Sequence, residues 1–216
     1  MMQTPIAIFV EASIIWAAVL SILQIRKAHG GGRKDYSRRA GDPIQGVIYN
    51  FTAAMTPAHK ESVRRHPGKF AIGLLMHFGV FLSLAAAILC LIQFELGMRV
   101  LRYLSPLFLA SLAAGLFLLV RRLATPDLRF MSYPDDYLSI ILSCGWTGLA
   151  AASGLFLNRP IPFLVYTGLL MIYLPLGKLR HAIFFFAARW DYGRRLGYRG
   201  VYPPAPMTME SKPNDG

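Results

Sequence analysis

Phe70-Ala-Ile-Gly-Leu-Leu-Met-His77-Phe-Gly-Val-Phe-Leu-Ser-Leu-Ala-Ala-Ala-Ile-Leu-Cys90-Leu-Ile-Gln-Phe94 is a run of 25 residues without one Asp, Glu, Lys or Arg. A helix rises 1.5 Å per residue, so about 20 residues cross the roughly 30 Å hydrocarbon layer of a bilayer. The apolar residues lie all round such a helix instead of on one stripe, which separates it from a helix of a soluble bundle. Four other runs share this character. Pro5 to Ile25 carries only Glu11, near its start, and Tyr103 to Val120, Tyr137 to Asn158 and Pro160 to Gly177 carry no charge. In lipid a segment must satisfy its own backbone hydrogen bonds, so each run is expected to be a helix. The fold class read from the sequence is all-α: an integral membrane five-helix bundle, with helices over residues 5–25, 70–94, 103–120, 137–158 and 160–188.

Composition agrees. Of 216 residues 55% are hydrophobic, 16% are charged, and 23 Lys and Arg face 11 Asp and Glu. Soluble domains carry about a quarter charged residues, so a disordered chain is excluded and the composition argues against an ordinary soluble enzyme. The net charge of +12 would suit a nucleic-acid binder if it formed one patch. Instead it partitions between loops. Residues 26–69 hold ten Lys and Arg, 121–136 three, and 178 to the end seven, against Arg99, Arg102 and Arg159 between the other helix ends. By the positive-inside rule the N-terminus is expected outside and the C-terminus in the cytoplasm; the membrane itself is expected to be a prokaryotic inner one. The first run lacks a basic leader and a small-residue cleavage site, and reads as a retained helix.

Between the first two helices, Gly30-Gly31-Gly32 reads as a hinge. Asp42 before Pro43 is a helix start. Ile44, Val47, Ile48, Phe51 and Met55 then recur at helical spacing, describing a short amphipathic helix over 43–56 in the membrane interface. Its plainest role is an anchor, and a second role is one wall of a pocket for a lipid-soluble substrate. Residues 1–190 are read as one membrane domain. Residues 191–216, with Tyr192, Arg194, Arg195, Tyr198, Arg199, Tyr202 and a Pro-rich end, read as a basic cytoplasmic tail without a core of its own. Cys90 and Cys144 fall at different depths and are not expected to form a disulfide. There is no Cys-x-x-Cys-His for covalent haem.

Of five histidines, only His77 and His181 fall within apolar helical sequence. Ionisable residues inside a membrane are functional candidates. His77 is seven residues past Phe70, roughly 10 Å in. If the fifth helix continues to Arg189, His181 is eight residues before its end, roughly 12 Å in. Two histidines at matched depth suit the axial positions of one haem b. Lys178, Arg180, Arg121 and Arg122 are on the side where propionates would need cations, and equally serve as interfacial anchors.

The segment Leu118-Leu-Val-Arg-Arg-Leu-Ala-Thr-Pro126, followed by Asp135-Asp-Tyr-Leu-Ser-Ile-Ile-Leu142, resembles the junction of the third and fourth helices in the gamma subunit of respiratory nitrate reductases. Tyr173-Leu-Pro-Leu-Gly-Lys-Leu-Arg-His181 resembles the end of that family's fifth helix, with its haem-ligating histidine. The likeness runs over most of residues 5–190, and extends to the membrane cytochromes of sulfite-reductase-associated and heterodisulfide-reductase complexes. It implies a membrane cytochrome b that passes electrons between quinone and cytoplasmic iron–sulfur and catalytic subunits. The family's two-haem members carry further histidines at the positions of Ala87 and Phe163. Both are missing here, so the resemblance implies a single haem, on His77 and His181. With one haem, quinone is expected to react nearby, in a pocket of Phe51 and Met55 with Asp135 and Asp136 as proton relays. Capping of the fourth helix after Pro134 is the other role for the two aspartates. The rival function is a haemless membrane anchor or assembly subunit of such a complex.

Overall fold

The computed structural model describes residues 4–30, 37–59, 61–157 and 159–204. Gly31 and Gly32 of the expected hinge, Asn158 at the expected end of the fourth helix, and the Pro-rich end from Ala205 lie outside the described residues. The described residues form helices and turns, with no strand among them. In chain order the helices are α1 (Thr4–Gly30), α2 (Pro43–Phe51), α3 (Glu61–Arg65), α4 (Pro67–Ile92), α5 (Phe94–Tyr103), α6 (Ser105–Ala124), α7 (Pro126–Phe130), α8 (Pro134–Leu155), α9 (Ile161–Tyr173) and α10 (His181–Tyr198). They fall in two compact units. The first comprises Met1–Gly30 and His66–Ala182, the second Gly31–Arg65 and Ile183–Gly216.

In the first unit four helices are long and apolar enough to cross a membrane: Pro5–Gly30, Pro67–Ile92, Ser105–Ala124 and Pro134–Leu155. Prolines open several of them, because a helix has no use for the amide hydrogen of its first residues. Pro67, Pro106, Pro126, Pro134 and Pro162 all take such places. The fifth run differs from expectation. It is not one helix over 160–188: α9 stops at Tyr173, the chain bends sharply, and a 3-10 turn over Lys178–Arg180 leads into α10. A fifth span exists only if this bent pair is counted as one. The cause is Pro175, which has no amide hydrogen and clashes with the preceding turn. Leu176 donates to the Tyr173 carbonyl at 2.9 Å, three residues back instead of four, and shares that acceptor with Gly177 at 3.0 Å. Carbonyls freed by the break are taken by α1. Gln24 Nε2 donates to Pro175 O at 2.9 Å, and Trp16 Nε1 lies 3.4 Å from Ile172 O. A broken helix in lipid needs such neighbours.

Packing in this unit relies on small residues. α6 packs on α4 and α8, and α1 on α9. Gly79 abuts Ser111, Gly115 abuts the Cys144 sulfur and Gly154 abuts the Leu101 backbone. Without a hydrophobic force between helices in lipid, close backbone approach supplies the dispersion contact. Three buried hydroxyls bond to the preceding turn: Ser83 to Gly79 O (2.9 Å), Ser143 to Ser139 O (2.9 Å) and Thr167 to Phe163 O (2.8 Å). α5 has no counterpart in the sequence reading. It buries Gly97, Met98 and Leu101 and packs on α4 and α8. Cys90 and Cys144 are both buried and free.

In the second unit Asp42 caps α2, its Oδ1 accepting from Ile44 N at 2.8 Å. The helix expected over 43–56 ends at Phe51. Two 3-10 turns, Ala53–Met55 and Pro57–His59, follow. Its buried face is Gly46 and Asn50, while Ile44 and Ile48 of the apolar stripe stay exposed. Gly193 and Gly197 of α10 meet that face. A Cβ on Gly193 would lie 2.8 Å from Val47 Cα, and one on Gly197 would lie 2.5 Å from Asp42 O. The described part of residues 191–216 is therefore not a coreless tail. Tyr198 O accepts from Ala40 N (2.9 Å) and Gly41 N (3.2 Å), and Tyr198 OH donates to Ser37 O at 2.8 Å.

Candidate functional site

His77 and His181 lie side by side in the first unit, with ring centroids 6.4 Å apart and planes at 76°. His77 sits mid-helix on α4, and its Nδ1 is 2.7 Å from Gly73 O, one turn back. His181 opens α10, and its Nδ1 is 2.6 Å from Lys178 O in the preceding 3-10 turn. A carbonyl can only accept, so each Nδ1 carries the hydrogen, and each neutral ring keeps its lone pair on Nε2. That tautomer, with Nδ1–H held by a carbonyl, is the state of a metal-ligating imidazole. Imidazole–metal bonds are about 2.0–2.1 Å, so two rings on opposite sides of one metal ion have centroids roughly 6 Å apart. The 6.4 Å between the two centroids is of the size that a metal ion between the rings would need. Both rings are exposed, not packed into the core. Among the described residues no group of three or more His, Cys, Asp or Glu is placed to hold a metal ion.

The break in the fifth run positions His181, and α8 pins the break. Asp135 Oδ2 accepts from Lys178 N at 2.7 Å, and Asp135 Oδ1 accepts from the Tyr173 hydroxyl. Lys178 thus hands its amide hydrogen to Asp135 and its carbonyl to His181. Asp136 is 4% exposed. It accepts from Tyr133 N at 2.9 Å, pairs with the Lys178 ammonium, and has Arg122 Nη1 at 3.8 Å. Arg122 Nη1 also donates to Ser132 Oγ at 2.7 Å. The capping role read for Asp136 is present, and extends into an ion-pair network that closes the loop of Leu174 to Arg180 onto α8.

The remaining candidates divide. Lys178 and Arg122 already face Asp136, whereas Arg121 and Arg180 have no ion-pair partner among the described residues. Phe51 stacks on Phe186, centroids 6.4 Å apart and planes at 15°, and Met55 is half-buried in its 3-10 turn. These two belong to the second unit, Asp135 and Asp136 to the first. The sequence reading missed the tie from Asp135 through Lys178 to His181, because loop geometry links residues 43 positions apart. It also missed Gly193-x-x-x-Gly197, a spacing that marks close helix contact and stands in the sequence. The chain matches no family profile, no curated protein and no solved structure.

Proposed function

We propose that this chain is the single-haem b-type membrane subunit of a respiratory oxidoreductase complex. It passes electrons between quinone and a cytoplasmic iron–sulfur partner that serves the catalytic subunits. The observation that carries the reading is the pair His77 and His181, on separate helical segments, with both Nδ1 atoms engaged by carbonyls and both Nε2 atoms left to ligate. Its second support is the resemblance of 118–142 and 173–181 to the nitrate reductase gamma family. Haem iron, when bound, supplies reversible one-electron transfer.

The chain's own residues supply position and charge. Gly73 O and Lys178 O orient the two imidazoles. Arg121 and Arg180, whose charges no described acid neutralises, are the cations best placed in sequence to offset propionates, with Lys178 and Arg122 shared with Asp136. The distribution of Lys and Arg supports a cytoplasmic C-terminus and an outer N-terminus in a prokaryotic inner membrane.

A reduced-minus-oxidised spectrum of the purified protein tests the reading. A b-type band that is lost in both His77→Ala and His181→Ala is expected. A protein without iron, indifferent to both substitutions, would instead be the haemless anchor.

A further inference from the structure

A cleft of about 440 Å³ opens within the second unit, lined by Tyr49, His59, Phe185, Arg189, Tyr192 and Tyr202, with Asn50. Its walls are aromatic. Tyr49 and Tyr202 stack at 5.1 Å, Tyr192 lies 6.0 Å from Tyr202, and His59 meets Tyr49 edge-on at 5.9 Å. Its one permanent charge is Arg189, half-buried and placed over the Phe185 ring at 5.2 Å. A clasp to α2 fixes that guanidinium. Nη1 donates to both Asn50 O (2.9 Å) and Asn50 Oδ1 (3.0 Å), and Asn50 Nδ2 donates back to Arg189 O (2.6 Å).

The clasp uses both hydrogens of Nη1. The Nε–H and Nη2–H groups, which form the side edge of the fork, have no partner among the described residues, and no described acid pairs with Arg189. Two parallel N–H donors on a held cation match two oxygens of a carboxylate or phosphate. Burial, and then Tyr192 and Tyr49, push the Tyr202 hydroxyl above the usual tyrosine range, so at neutral pH it remains protonated and adds no negative charge to the cleft. The surroundings are amphiphilic. Ile44, Ile48, Phe186 and Trp190 are exposed on the same two helices. By sequence the unit holds twelve Lys and Arg against six Asp and Glu. Apolar surface beside a basic, aromatic pocket is the pattern that meets lipid head groups at an interface.

We propose that this cleft binds the phosphate head of an anionic phospholipid, held by the Nε–Nη2 edge of Arg189 and the Tyr192 hydroxyl, with the acyl chains along the exposed apolar residues of α2 and α10. The shared chemistry is a phosphate oxyanion, and its source here is lipid, because free phosphate has no use for the apolar surface.

The test uses the full-length protein, stripped of lipid in detergent. Its adducts are counted by native mass spectrometry with short-chain phosphatidylglycerol, phosphatidylcholine of equal chain length, and inorganic phosphate. Phosphatidylglycerol should bind more tightly than the zwitterionic lipid. A charge-assisted fork lost in Arg189→Gln should weaken it about tenfold or more, and the hydroxyl lost in Tyr192→Phe about threefold. Arg189→Lys keeps the charge without the fork and should fall between wild type and Arg189→Gln. Helix content by circular dichroism is recorded for each variant. Tyr192→Phe leaves the Asn50 clasp intact and carries the test if Arg189→Gln unfolds. Unchanged phosphatidylglycerol affinity in Tyr192→Phe, or in a folded Arg189→Gln, overturns the proposal. So does equal binding of phosphatidylcholine, or inorganic phosphate binding as tightly as the lipid. The haem spectrum plays no part in this readout.

Discussion

Within the first unit, two pairs of positions on the same two apolar runs have opposite fates. His77 and Ala87 are ten residues apart on α4. His181 and Phe163 are eighteen apart along the fifth run. His77 and His181 are exposed, their rings meet, and their Nδ1 atoms are tied to carbonyls. Ala87 and Phe163 are 0% exposed and belong to the hydrophobic core. One pair leaves room and lone pairs, and the other fills space with carbon. In the proposed reading this is the difference between a haem site kept and a haem site replaced by packing. The lesson is that a missing ligand set is read from what occupies its place as well as from the absent residues.

The largest effect expected at the open pair is all-or-none. His77→Ala or His181→Ala should abolish the b-type band, while changing the thermal stability of the haem-free protein by less than about 0.5 kcal/mol, as for exposed positions. A band surviving either change would break the comparison on that side. At the closed pair, Phe163→Ala should cost about 3 kcal/mol or more through the cavity it leaves, read as a lower thermal midpoint in detergent, with the b-type band retained. The double change Ala87→His with Phe163→His should add no second band, because the core around those positions is already full. Appearance of one would show that the packing yields to a second haem.

A smaller effect is expected at the clamp. Asp135→Ala removes the acceptor of both the Tyr173 hydroxyl and the Lys178 amide, and should cost about 2 kcal/mol. Because Lys178 also holds His181, the haem midpoint potential should shift in this variant. A stability loss with an unmoved potential would make Asp135 a cap and nothing more. The smallest contrast lies in glycines. Gly73 has open space where a Cβ would go, so Gly73→Ala should stabilise α4 by up to about 1 kcal/mol. Gly154 abuts the Leu101 backbone, and a Cβ on it would stand 3.0 Å from Arg102 Cα, so Gly154→Ala should cost about 1–3 kcal/mol. Equal midpoints for the two variants would erase the distinction between an open and a closed end.

Much of the helical layout was legible along the chain. Runs such as Phe70 to Phe94 announce themselves because lipid accepts only long apolar segments whose backbones satisfy themselves, and proline marks several helix starts. The break at Pro175 and Gly177 was legible too, yet hydropathy alone passes over it, since both residues sit comfortably in an apolar run. The depth count for His181 assumed an unbroken helix to Arg189. The two rings meet by another route, through a 3-10 turn pinned by Asp135. The apolar stripe expected over 43–56 stops at Phe51, with Met55 in a separate 3-10 turn. Gly46 and Asn50 form the buried face, because Gly193 and Gly197 let α10 come within backbone contact.

The sequence by itself determined the all-helical character, the apolar spans and the place of His77 and His181 within apolar sequence, because hydropathy, helix period and residue type are local properties. Only the tertiary structure decided which nitrogen of each histidine is engaged, that Asp135 and Asp136 hold the loop that carries His181, that Ala87 and Phe163 are sealed in the core, and that Arg189 keeps a free donor edge in an aromatic cleft. Each histidine's Nδ1 is held from its own preceding turn, but the other three depend on hydrogen bonds and close contacts between residues tens to more than a hundred positions apart. Such contacts arise from how the chain closes on itself, and no window along it contains them.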